Sequence, residues 1–142
     1  MPHFPRTAAV ILFAAPMVVG SASAEDRTLY ERLGGYDAIA ALTDGLVDRF
    51  RDEKFAGSSD ASMRQTRQHI VDFMCEATGG PCYYTGRDME TTHAGLGITR
   101  SEWDHFVIVF GETMDDLAIP EDAQAELAAS LLPFEEDMVE AR

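Results

Sequence analysis

Between Cys75 and Thr99 the chain reads CEATGGPCYYTGRDMETTHAGLGIT, which puts two cysteines, a Gly-Gly-Pro break, two adjacent tyrosines and a histidine within 25 residues. The chain has four histidines, His3, His69, His93 and His105. A neutral imidazole can ligate a metal or move a proton near neutral pH. His69 precedes Ile70 by one position and Phe73 by four, and Met89 stands four before His93, on the same side of a short helix. His105, between Asp104 and Phe106, reads as pointing outward. Taken singly, a histidine on an apolar face reads as a packed side chain with its hydrogen bond made. Two of them, each flanked by large apolar residues in different segments, strengthen the case for a shared cofactor, while aromatic stripes at helical spacing by themselves read as plain core. Haem iron is commonly held by a neutral imidazole, and a porphyrin also needs a concave, largely apolar pocket. Phe50, Phe73, Trp103, Phe106, Val107 and Phe110 are the bulky residues available to line one.

The elements that must position these groups read as helices, because apolar residues recur at helical spacing after Glu25. Ile39, Leu42, Leu46, Val47 and Phe50 form one face of a helix after Gly34-Gly35. Met63, Ile70, Phe73, Met74 and Ala77 form a second, over residues 60–78, started by Asp60 or Ser59 and stopped by Gly79-Gly80-Pro81. Thr99 and Glu102 have capping-box spacing, followed by a stripe of Trp103, Phe106, Val107, Phe110, Met114 and Leu117. Pro120 suits the first turn of a last helix bearing Leu127, Leu131, Phe134 and Met138, and Pro133 predicts a kink or broken turn within it. Residues 81–98 should be mostly loop, with at most a short helix around Asp88–Ala94. The expected fold is all-α, with four sizeable helices and one long irregular segment of the kind that tends to carry function.

The first residues read as a leader rather than as fold. MPHFPR, the apolar run TAAVILFAAPMVVG and Ala22-Ser23-Ala24 have the order of a secretory signal peptide, with cleavage expected after Ala24. The apolar run is short for a membrane span of about 20 residues, so an exported, periplasmic domain over residues 25–142 is expected, with no membrane span in the mature form. Removing the leader takes away Arg6 and no acid, leaving ten basic against 25 acidic side chains and a formal charge of −15. Such a surface repels phosphate backbones and argues against nucleic acid as a partner. In an exported domain Cys75 and Cys82 read most simply as a disulfide. A free redox-active pair is the rival, and a zinc site lacks two further ligands at recognisable spacing.

From about Thr28 onward the chain resembles the truncated haemoglobins, most closely those of group I. TLYERLGGYDAI resembles the family's opening, GGPCYYTGRDM its loop after the distal-side helix, and THAGLGIT the segment carrying the proximal histidine. The resemblance implies a two-over-two helical sandwich holding a non-covalent b-type haem, iron protoporphyrin IX; the chain has no C-x-x-C-H attachment motif. It makes His93 the proximal iron ligand and places Tyr84 and Met89 at haem-contacting positions. His69 falls where some members place a sixth iron ligand, and Thr66 and Ile70 fall at neighbouring positions that face the gas. One departure matters: many members carry a tyrosine hydroxyl in the second helix that donates to the bound gas, and Val47 stands there. The missing donor is worth about 1–3 kcal/mol toward a buried, partly charged acceptor.

The resulting expectation is a haem protein that binds O2, NO or CO outside the cytoplasm. Turnover of any of these would need electrons from a redox partner. The alternatives are a bis-histidine haem protein for electron transfer or redox and gas sensing, with His93 and His69 both on iron, and a cofactor-free helical module.

Overall fold

The computed structural model describes residues 26–54 and 58–140, so the expected leader, residues 1–24, lies outside the described residues. The order is α1 (Leu29–Leu33), α2 (Gly35–Lys54), α3 (Asp60–Ala77), α4 (Met89–His93), α5 (Arg100–Asp116), α6 (Glu121–Leu131), a 3-10 turn (Leu132–Phe134) and α7 (Glu135–Met138). No strand occurs among the described residues. The four sizeable helices are α2, α3, α5 and α6, as the apolar periodicity requires.

Their faces meet in one core. Ile39 and Leu42 of α2, Val71, Met74 and Cys75 of α3, Val109, Phe110 and Met114 of α5, and Ala123 and Leu127 of α6 are all buried in it. Two threonines in this core, Thr43 and Thr113, satisfy their hydroxyls by donating to the carbonyls of Ile39 (2.9 Å) and Val109 (2.6 Å). At the surface Arg67 of α3 forks onto the Asp44 carboxylate of α2, with Nη2 to Oδ2 at 2.9 Å. That hydrogen bonding holds the Asp44 carboxyl below its usual range.

The ends of the helices follow side-chain chemistry. Ser59 caps α3 by accepting from the Ser62 N–H at 3.2 Å, and Thr99 and Glu102 form the capping box of α5. Thr78 closes α3 by donating its hydroxyl to the Met74 carbonyl at 2.7 Å. Pro120 is a correction: it sits at the N-cap of α6, one position before the first turn, with extended ψ of 138°. Pro133 breaks the last apolar stripe, as expected, into α6, the 3-10 turn and α7. The periodicity did not reveal α1, which is too short to show a period. Thr28 and Glu31 form its capping box, its Leu29 and Leu33 are buried, and Arg32 ties it to Asp122 (3.0 Å) and Glu126 of α6.

Candidate functional site

The α3 helix presents Thr66, His69, Ile70 and Phe73 along one side, at steps of three and four, all half-buried. The chain then turns under Cys75 and Cys82, which are joined as a disulfide with Cα atoms 5.7 Å apart. The Gly80 N–H also donates back to the Cys75 carbonyl at 2.8 Å. Two residues beyond the disulfide, the Tyr84 ring meets Phe73 edge-on at 5.4 Å and His69 edge-on at 6.2 Å. Its hydroxyl donates to the Arg87 carbonyl at 2.7 Å. Gly86 lies so close to the Tyr84 ring that a Cβ there would run into the ring and its hydroxyl. Tyr84 is thus held at both ends and on one face.

The Arg87 carbonyl also accepts from the Thr92 hydroxyl at 3.3 Å, which joins this loop to α4. Asp88 starts α4 by accepting the Thr91 N–H at 2.7 Å, and that backbone hydrogen bond holds its carboxyl below the usual range. One turn later Nδ1 of His93 lies 2.8 Å from the Met89 carbonyl oxygen. A carbonyl can only accept, so Nδ1 donates, and in the neutral ring Nε2 is the nitrogen whose lone pair is free to bind a metal. The short helix therefore presents an imidazole of one tautomer and one orientation.

Across the core, Val47 is buried on α2 and Phe50 is half-buried. The Phe50 ring meets Phe106 at 6.2 Å, and Phe106 in turn meets Trp103 and Phe110, each at 5.6 Å. His105 is exposed, as expected, with its ring edge-on to Phe50. The structure so groups His69, Phe73 and Tyr84, with Phe134 added at 5.6 Å from Phe73, as one aromatic set, and Phe50, Trp103 and Phe106 as another. Val107 is 37% exposed and lines a groove of about 340 Å³ between α5 and α6, together with Trp103, Phe106, Ala128 and Leu131. Neither His69 nor His93 lines that groove. Sequence reasoning missed Gly86 and the cap at Asp88. The Asp88-to-Thr91 spacing after a loop was the legible signal for the cap, whereas nothing local marks Gly86.

A family profile for bacterial-like globins matches residues 28–140. The group 1 truncated hemoglobin GlbN of Mycolicibacterium paratuberculosis is 31% identical over 116 residues, covering 78% of this chain and 83% of that protein. The chain belongs to the truncated haemoglobins. The GlbN of Nostoc commune is 36% identical over 92 residues, 61% of this chain and 75% of its own. Among solved structures, the truncated hemoglobin of Tetrahymena pyriformis in its Fe(III) form superposes with a TM-score of 0.71 at 24% identity, covering 80% of this chain and 98% of that one. The all-helical fold is that of this family. Membership implies a haem cofactor and haem-based binding of diatomic gases. No described helix is long and apolar enough to cross a membrane.

Proposed function

We propose that residues 25–142 form an exported b-type haem protein that binds O2, NO or CO, with Nε2 of His93 as the proximal ligand. The observation that carries this reading is the His93–Met89 hydrogen bond, because it engages Nδ1, fixes the ring's direction and makes Nε2 the nitrogen available to a metal in the neutral imidazole. When bound, haem would supply an iron that His93 would hold and that could take up a diatomic gas. The chain's own part is to orient that imidazole and exclude water. Phe73, Tyr84 and Met89 are proposed to cover one part of the ring system, and Phe50, Trp103, Phe106 and Val107 another. Thr66, Ile70 and Val47 are the residues proposed to face the gas. With no hydroxyl at Val47, escape of the gas and oxidation of the haem should both be easier than in members that keep the tyrosine.

In a second reading His69 would hold the iron together with His93, giving a bis-histidine protein for electron transfer or sensing. It is supported by the single imidazole on the Thr66–Phe73 side of α3 and by the absence of a hydroxyl at Val47. In the ferrous protein without added ligand, sharp, split visible bands support this reading, and one broad band that CO converts supports an open site. Titration with hemin should give a Soret band in the wild type, and His93→Ala should bind at least about 100-fold more weakly, since even outer-shell partners of metal ligands are worth about 10–100-fold. An unchanged spectrum in His93→Ala would end the proposal. Protein recovered from the periplasm should begin at Glu25, and a mass that retains residues 1–24 would refute the cleavage.

A further inference from the structure

The α4 helix has five residues and none of them is buried. A helix that short cannot sustain itself, and little apolar burial holds it, so something else must fix the backbone around His93. Among the described elements its chief packing partner is α7. Beside the hydrogen bonds at Arg87 and Asp88, the segment that follows α7 supplies a further grip through one residue. The Gly97 N–H donates to Oε2 of Glu140 at 2.9 Å, and the Gly95 N–H donates to Oε1 of the same carboxylate. The Glu140 N–H itself donates to the Ile98 carbonyl at 3.0 Å. One residue therefore holds the chain from 95 to 98 by side chain and backbone together.

The two glycines are there for conformation. Gly95 and Gly97 have φ of +79° and +63°, and a Cβ at either would meet nothing within 4 Å, so space does not demand glycine. Left-handed φ at both is what turns two nearby N–H groups toward one anion, a backbone concavity suited to a carboxylate. The loop is coupled directly to His93, whose carbonyl accepts the Leu96 N–H at 3.1 Å. At the other end of α7, Glu135 is paired with Arg100 at the start of α5. The terminal segment is in this way anchored to α5 and clasped over the exit of α4.

We propose that Glu140 is a positioning residue for His93, its carboxylate latching the loop after α4 so that the imidazole keeps one orientation toward haem. The proposal rests on His93 as the proximal ligand. It does not require Glu140 to touch the haem.

The test compares full-length wild type with Glu140→Ala, Glu140→Gln and, as a control on the same segment, Glu136→Gln. In haem-free protein, amide exchange at Gly95 and Gly97 should quicken about tenfold or more in Glu140→Ala. In loaded protein, haem loss to an excess of acceptor globin should be about tenfold faster, the low end of what supporting groups around metal ligands contribute. The iron–histidine stretching band of the ferrous form should shift or broaden. Glu140→Gln, which keeps one acceptor but turns an NH2 toward a glycine N–H, should fall between, and Glu136→Gln should match wild type. Wild-type haem loss and an unmoved band in both Glu140 variants would overturn the latch, as would equal changes in Glu136→Gln. A His93→Ala protein with the wild-type spectrum would instead overturn the ligand assignment beneath it, so the two failures are distinct.

Discussion

The α3 and α4 helices, which carry the two histidines proposed to face the haem, are held in opposite ways. The α3 helix runs 18 residues, buries Val71, Met74 and Cys75 in the common core, and is stapled at its end by a disulfide. The α4 helix runs five residues, buries none, and depends on hydrogen bonds at Asp88, Met89, Arg87 and Glu140. Burial tolerates small polar changes and punishes lost volume, because packed interiors relax only partly around a cavity. Polar clasps at a surface do the reverse: they add little to global stability, yet they decide the direction of the groups they hold. The wall with His69 should therefore fail by unfolding, and the wall with His93 by loss of alignment.

The largest effect should come from the buried wall. Met74→Ala is expected to lower the unfolding free energy of the haem-free protein by about 2–5 kcal/mol in urea titration. Met89→Ala, on half-buried α4, should cost well under half as much, and equal losses would erase the contrast between the walls. Next, converting both Cys75 and Cys82 to serine should cost about 2.5 kcal/mol, the loop-closure value for a loop of about eight residues. A loss near zero would mean that the turn at Gly79-Gly80 holds without its staple.

Gly86→Ala should cost about 1–3 kcal/mol, since the added methyl must displace the Tyr84 ring. The same change should move the His69 ring resonances, because Tyr84 packs edge-on against that imidazole. Unmoved His69 resonances would show that Tyr84 does not transmit the displacement.

The smallest effect is local and depends on pH. The folded Asp88 carboxyl is held below its ordinary value of 3.8 by the Thr91 N–H. Its contribution to α4 is therefore fully present above that value and is lost as pH falls through the lower folded value. Exchange protection of the Thr91 amide should be flat from neutral pH to about pH 5 and decline below about pH 3.8. Asp88→Asn, which caps without titrating, should remove that decline.

The long helices were readable because each buries one stripe, and a stripe leaves a period in the residues themselves. Trp103, Phe106 and Phe110 stand out in this way, and so do the capping box at Thr99 and the break at Pro133. The histidine before the glycine-rich turn was legible as a ligand type, and the family motifs around it placed it in the globin frame. The five-residue α1 went unseen by periodicity, although its Thr28–Glu31 cap was written in the chain. Pro120 was misplaced by one position because a proline serves a helix start equally from just outside the first turn.

What the amino-acid order determined by itself was local or periodic: helix faces, caps, breaks, the thiol pair and the imidazole near the glycine turn. Those features depend on neighbours within a few positions, so they survive without knowledge of the fold. Only the tertiary structure decided that Tyr84 wedges against His69 and that Glu140 closes on Gly95 and Gly97, some 45 positions back. Such contacts carry no period and no local signature. They exist because the packed core brings distant backbone within hydrogen-bond reach.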